Sequence, residues 1–202
     1  TLWLSMAAET YTGLPIETIA PDVARGARMA VDHLYACGHR RMALCTFRRN
    51  PEAGLQAVKK ILLYQSFQQA LKEHGLSPRS LVVHAADYAQ ALDQLRKTFS
   101  EKDAPTALIC ASDYDAARVY RKADRLGVRV PDDVALVGCF NTPWADTFSL
   151  TSLDYRYRDI VQACIRRIVE HRERGGQPDD TCRQVLCSPR LIVRESTQPV
   201  QV

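Results

Sequence analysis

Four short apolar runs in this chain each end in residues able to hold a small molecule. Phe47, Arg48, Arg49 and Asn50 follow the first run, Asp87 and Tyr88 the second, Ser112 and Asp113 the third, and Phe140, Asn141 and Trp144 the fourth. Aromatic faces cover the C–H surface of a ligand, and carboxylate, amide and guanidinium groups hydrogen-bond its hydroxyls in fixed directions. The set therefore suits a polyhydroxylated molecule such as a sugar. The candidate ligand-binding residues are Asp113, Tyr88, Trp144, Asn141, Phe140, Arg48 and Phe47. A plainer role is open to most of them. Asp113 and Asp87 can cap helices, Trp144 can anchor a loop by burial, Asn141 can serve the turn ending at Pro143, and Arg48 can simply be solvated.

Patterns for catalysis are thin. The chain has no G-x-S-x-G elbow, no G-x-x-x-x-G-K-[ST] phosphate loop, no G-x-G-x-x-G fingerprint and no H-E-x-x-H zinc helix. Its five histidines are scattered without ligand spacing, and its seven cysteines include no C-x-x-C pair. The cysteines lie mostly in apolar runs and read as reduced, buried thiols, although Cys182 and Cys187 are close enough in sequence to bridge in an oxidising compartment. No metal, no cofactor and no enzymatic activity are expected.

The elements that would position these residues follow from periodicity. Asp22 is a good N-cap for a helix with Val23, Ala27, Ala30, Val31 and Leu34 on one face, stopped by Gly38. Residues 41–47 form a strand, Pro51 opens a helix that ends at Gly75, and Ser80 to Ala85 is a further strand. Asp87 caps the next helix, Thr106 to Ala111 is a strand, and a helix runs from Asp113 to a stop at Gly127. Val134 to Cys139 is a strand, residues 140–149 an irregular loop, and Leu150 to Leu153 a short strand. A long helix carries Ile160, Val161, Cys164, Ile165, Ile168 and Val169, and a strand around Gln184 to Val193 is interrupted by Pro189. The first twenty residues give no clear signal. Strands alternating with helices predict a mostly parallel sheet covered on both faces, whose ligands bind at the carboxyl ends of the strands.

The bulk composition agrees. With 202 residues, 46% hydrophobic and 25% charged, the chain can build a substantial core. It contains no apolar stretch of membrane-spanning length and does not begin like a secretory signal, so the expectation is a cytoplasmic protein with no membrane partner. A net charge of +4 with basic residues spread along the chain gives no nucleic-acid surface.

Taken in order, four segments resemble the effector-binding domain of the lac repressor (LacI/GalR) family, which also occurs in regulators with a GntR-type head. They are Asp22 to Ala27 with His33 to Arg41; Pro105-Thr106-Ala107-Leu108-Ile109-Cys110-Ala111-Ser112-Asp113; Leu126 to Gly138, containing Pro131-Asp132-Asp133-Val134; and Leu191-Ile192-Val193-Arg194-Glu195-Ser196-Thr197. The resemblance implies a periplasmic-binding-protein-like α/β fold: two αβα subdomains with mostly parallel sheets, three crossovers, and a small polar effector, sugar or sugar derivative, in the cleft. It places residues 1–50 and 154–180 in the N-terminal subdomain and 51–153 and 181–202 in the C-terminal one. It also implies further strand–helix units and a DNA-binding head ahead of Asp22, so the first subdomain is expected to be incomplete and DNA binding to belong to the parent protein. Family members dimerise and couple effector binding to the spacing of their DNA-binding heads.

Site residues carry over in part. Asp113 stands where the family has a carboxylate that accepts from the effector, and Tyr88 where an aromatic stacks on it. The family's Arg before a Gly-Phe pair has no counterpart in Leu63-Tyr64-Gln65-Ser66-Phe67, and the acid of its Gly-aromatic-Asp is replaced in Gly138-Cys139-Phe140-Asn141. Other readings are a transport-type solute-binding protein of the same fold, or a sugar- or nucleotide-processing enzyme with Asp113 as base.

Overall fold

The computed structural model of the chain describes residues 2–4, 17–48, 54–84, 88–173 and 184–197. They form two sheets, one parallel and one mostly parallel. The smaller has three strands, β1 (Leu2–Leu4), β2 (Glu17–Pro21) and β8 (Gln184–Cys187), in the order β1-β2-β8. The larger has six, β3 (Met42–Arg48), β4 (Arg79–His84), β5 (Ala107–Cys110), β6 (Ala135–Cys139), β7 (Thr151–Asp154) and β9 (Arg190–Ile192), in the order β4-β3-β5-β6-β7-β9. Only β9 runs antiparallel to its neighbour.

Among the described residues seven helices connect and cover them: α1 (Val23–Ala36), α2 (Gly54–Glu73), α3 (Tyr88–Phe99), α4 (Asp113–Tyr120), α5 (Ala123–Leu126), α6 (Pro143–Thr147) and α7 (Tyr157–Glu173). Local chemistry sets their ends. Asp22 accepts from the backbone N–H of Arg25 at 2.8 Å and caps α1, and Gly38, at φ +94°, turns the chain out of it. Gly127 does the same after α5 at φ +72°.

Alternation along β3 builds the core of the larger unit. Met42 and Leu44 face α1 and α2, where they join Leu34, Phe67 and Leu71. Ala43, Cys45 and Phe47 face the other way, with Leu95, Ala116, Val119, Leu136 and Leu150. Burying a side chain such as Phe67, which is fully enclosed, stabilises the fold by about 1.5–3 kcal/mol. The smaller unit is thinner: Ile19 on β2 packs on Ile160 and Cys164 of α7.

Several expectations shift. Because β3 lies between β4 and β5 and α1 packs on α2, residues 22–48 belong with the larger unit, not the N-terminal subdomain. The late strand is two strands in different sheets: β8 pairs with β2, whereas β9 pairs with β7. Ser188-Pro189 lies between them, and a proline, having no N–H, cannot continue a ladder. Residues 184–187 therefore join the smaller unit. The helix from Asp113 to Gly127 is two helices, and the loop at 140–149 holds α6, with Pro143 at its first turn. Pro51, Asp87 and Ala85 lie outside the described residues.

The chain passes between the units after Pro21, after Asp154 and after Cys187, and the first and third passages are tied by the Asp22 N–H donating to the Cys187 carbonyl at 2.9 Å. The closing residues lock into the larger sheet. Leu136 N–H donates to Ser196 O at 2.8 Å, Ser196 Oγ donates to Leu136 O at 2.6 Å, and Thr151 N–H donates to Ser196 Oγ at 2.8 Å. This gives the terminal Arg194-Glu195-Ser196-Thr197 a mechanical reason: a buried serine that satisfies strand groups no strand covers.

Candidate functional site

The carboxyl ends of β5, β6 and β7 bring together a hub of hydrogen bonds around Asp113. Ser112, not Asp113, caps α4, its Oγ accepting from the Asp115 N–H at 3.1 Å. Asp113 is thereby released from capping and turns fully inward. Its Oδ2 accepts from the Thr142 N–H at 2.7 Å and Thr142 Oγ1 at 3.0 Å, and its Oδ1 accepts from Ser152 Oγ at 2.5 Å. Burial pushes its pKa above the ordinary carboxylate value, and the bonds from Ser152 and Thr142, together with the Arg194 charge, pull it back. Gly138 on β6 makes room for this: a Cβ there would collide with Asp113 Oδ1 and crowd its backbone.

The same hub holds Asn141. Its N–H donates to Ser152 Oγ at 3.0 Å, and its Oδ1 accepts from Arg194 Nη2 at 2.8 Å. Arg194 also donates to the Leu150 carbonyl at 2.8 Å and to Asp146 Oδ1 at 2.6 Å. With the Phe140 N–H donating to Leu153 O at 2.7 Å, three successive N–H groups, those of 140, 141 and 142, are bound by the protein itself. The loop is held hard enough to keep Phe140 at φ +91° and Asn141 at φ +46°. Such backbone costs about 1–3 kcal/mol for a bulky residue and survives only where its surroundings enforce it.

That geometry delivers the Phe140 ring to the crossover between β7 and α7. Its centroid lies 5.7 Å from Tyr155 and 6.0 Å from Tyr157. Tyr155 is a buried floor, and Gly26 of α1 leaves space for its ring. Burial raises both tyrosine pKa values, so the hydroxyls stay neutral. Arg156, between them, is a further residue at positive φ, +53°. Phe140 and Tyr157 are half-buried.

Phe47 and Trp144 belong to another cluster. Phe47 is buried at 6% exposure with the Arg118 guanidinium 4.2 Å above its ring, which removes it from a ligand's reach. Trp144, 39% exposed, stacks on Phe148 at 6.2 Å and meets Tyr114 edge-on at 5.4 Å, and Phe148 touches Tyr120 at 5.4 Å. These rings form a seam between α4 and α6. No ring contact joins the seam to Phe140 among the described residues. The backbones of Arg48 and Tyr88 stand at the end of β3 and the start of α3, and their side chains lie outside the described residues, as do Arg49 and Asn50.

Of the seven candidates, then, Asp113 and Asn141 bond within the protein, Phe140 faces the crossover, Phe47 is buried under Arg118, Trp144 lies in the seam, and the side chains of Arg48 and Tyr88 lie outside the described residues. Sequence reasoning missed Thr142, Ser152, Arg194, Tyr155 and Tyr157. The Thr142-Pro143 pair was a readable signal for a helix start, and Arg194 stood in a recognised segment with no role attached. Among the described residues no cluster of His, Cys, Asp and Glu could hold a metal ion. The thiols of Cys110 and Cys139 are buried and pushed upward, Cys110 by its hydrogen bond with Cys45 and then by burial and Cys139 by burial, which makes them poor nucleophiles.

Residues 31–197 match the model of the periplasmic binding protein-like domain. The chain belongs to this family. Its resemblance to the effector-binding domain of LacI-type regulators also holds. It is 26% identical over 200 residues to the HTH-type transcriptional regulator DegA of Bacillus subtilis, covering 98% of this chain and 57% of that protein. It is 31% identical over 187 residues to the HTH-type transcriptional regulator MalR of Streptomyces coelicolor, covering 89% and 51%. The chain thus spans about half the length of the curated relatives it matches. Among solved structures, a LacI transcriptional regulator from Rhodococcus species superposes with a TM-score of 0.75 at 23% identity, over 99% of this chain and 70% of that one. The lac repressor dimer bound to operator and the anti-inducer ONPF superposes with a TM-score of 0.76 at 24% identity, over 98% and 65%. In this chain Phe140, Tyr155 and Tyr157 stand where the chain passes from β7 of the larger sheet to α7.

Proposed function

We propose that this chain is the ligand-sensing domain of a transcription regulator: it binds a small effector between its two units, leaves it chemically unchanged, and passes the change in unit orientation to a DNA-binding head in the parent protein. The observation that carries this reading is the Phe140 loop. A strained residue on the larger unit, in a loop whose N–H groups at 140, 141 and 142 are all bound by the protein, lays its ring against Tyr157 of α7 on the smaller unit, so a molecule seated there touches both units. The relatives that match are named as transcriptional regulators. An enzyme with Asp113 as base is disfavoured by an inward carboxylate whose two oxygens are already engaged. A sensor of this kind works in the cytoplasm, and no described helix is long and apolar enough to cross a membrane.

The sugar class expected from the sequence rests on aromatic faces together with guanidinium, carboxylate and amide groups, the last two including Asp113 and Asn141. Both are bound by the protein, so this conformation offers a sugar fewer polar contacts than the residue types suggested. A second copy of the chain is the partner we assign to the α4–α6 seam, whose Tyr114, Trp144 and Tyr120 are each more than a third exposed. Structures of the lac repressor are described as dimers, which supports this assignment.

Thermal melting against a panel of sugars, sugar acids, polyols, nucleobases and amino acids tests the sensor reading, because a ligand that prefers the native state raises the melting temperature. The expected result is a reproducible rise from one chemical class, with the compound recovered unchanged. Conversion of the compound would overturn the reading in favour of an enzyme.

A further inference from the structure

Arg194 is anchored by its backbone and reaches out with its side chain. Its N–H donates to Thr151 Oγ1 at 2.9 Å and its carbonyl accepts from the same hydroxyl at 3.2 Å, which fixes it beside the first residue of β7. The guanidinium, 20% exposed, donates to three acceptors spread along residues 141–150: Asn141 Oδ1 at 2.8 Å, Asp146 Oδ1 at 2.6 Å and the Leu150 carbonyl at 2.8 Å. These acceptors stand at the start, the middle and the end of the segment that contains α6. Trp144 of that helix stacks on Phe148 and meets Tyr114 edge-on, so the seam is only as well placed as α6 is. With five residues α6 is too short to be stable by its own hydrogen bonds, and its N-cap Thr142 gives its hydroxyl to Asp113 instead of capping. Buried Ala145 holds its inner side, and Arg194 ties its exposed side to the larger sheet.

We propose that Arg194 is the positioning residue of the α4–α6 seam: its guanidinium fastens residues 141–150 to the larger sheet and so holds α6, with Trp144, where a second copy of the chain docks. This rests on the assignment of the seam to a second copy and adds the residue that controls it. Arginine suits the task because its planar head carries five N–H donors in a fixed fork, enough for three acceptors at once. A lysine ammonium keeps the charge but lacks the fork, so it cannot hold the three points together. Only one of the three acceptors is charged, and that one, Asp146, is 71% exposed, where water and salt weaken an ion pair. The holding power therefore sits in the fork as a whole rather than in the Asp146 charge.

Amide hydrogen exchange and sedimentation of the full chain, compared among wild type, Arg194→Ala, Arg194→Lys and Asp146→Asn, test this. The reporters are the N–H groups of Ala145, Phe148 and Leu150, which donate to the carbonyls of Thr142, Trp144 and Ala145. In Arg194→Ala they should exchange about tenfold faster or more while β5 and β6 keep their wild-type rates, and self-association should weaken about fivefold or more. Arg194→Lys should recover less than half of either loss, and Asp146→Asn, which keeps a neutral acceptor, should change both by about twofold or less. If Arg194→Ala does not fold, Arg194→Lys carries the comparison. Wild-type exchange at the three reporters in a folded variant overturns the proposal, because α6 is then held without Arg194. Acceleration spread evenly over β5 and β6 also overturns it, since the residue then serves the whole sheet and not the seam. A wild type that stays monomeric, or loosened reporters with self-association unchanged, overturns instead the assignment of the seam to a second copy, and with it the docking role of Arg194.

Discussion

Two faces of one loop are put to opposite uses. Residues 141 and 142, with Asp113 beneath them, turn into the larger sheet, where carboxylate, amide and hydroxyl groups bond one another. Phe140, one residue earlier, turns to the crossover and meets two tyrosines of the passage into the smaller unit. The polar side bonds within the protein, and the aromatic side packs against the core at the crossover. Polar groups are easily satisfied by the protein itself, and a buried network tolerates no loose member, so a residue's ability to bond a ligand is no measure of its availability.

Breaking the polar side should cost the most. Asp113→Ala leaves the Thr142 N–H, Thr142 Oγ1 and Ser152 Oγ without their acceptor, and the expected loss is roughly 3–5 kcal/mol, read from urea unfolding. Gly138→Ala attacks the same carboxylate by crowding it from β6, with an expected loss of about 2–3 kcal/mol. On the aromatic side, Phe140→Ala gives up a half-buried ring but relaxes little of the backbone strain, and its unfolding free energy should fall by only about 1 kcal/mol. Trp144→Ala in the seam loses ring contacts worth about 0.5–1.5 kcal/mol, leaves ligand binding intact and, if a second copy covers the seam, shifts sedimentation from dimer toward monomer.

The smallest effect is electrostatic. Burial raises the Asp113 pKa in the folded state, so the folded protein binds that proton more tightly than the unfolded chain does. This contribution to stability is complete below the ordinary carboxylate pKa and is lost as pH rises through the folded value. Asp113→Asn removes the group from the titration. The difference in melting temperature between wild type and Asp113→Asn should therefore change across mildly acidic pH and level off above it. A difference that stays constant over that range would mean the carboxyl titrates alike in both states.

How much of this could be read from the chain varies with the range of the interactions involved. The α1 helix was legible at both ends, since a capping Asp22 and a stopping Gly38 are local signals. So were β3, β5 and β6, whose apolar runs need no knowledge of neighbours. Sheet membership was not: β8 and β9 look like one strand until Pro189 is seen to separate two ladders. The role of Asp113 was also hidden. A carboxylate at the start of a helix has one signature whether it caps, meets a ligand or turns inward, and its partners Thr142 and Ser152 lie far along the sequence. Phe140 follows the end of β6, and its direction depends on a positive φ that nothing local to a phenylalanine would announce.

The most direct test is amide hydrogen exchange of the full chain with and without a saturating compound from the melting panel. Protection should concentrate at residues 140–142 and 155–157, where the loop of the larger unit meets the crossover, with little change in α4 and α6. Protection confined to the α4–α6 seam, or none at residues 140–142 and 155–157 despite saturation, would contradict a ligand site at the junction of the two units.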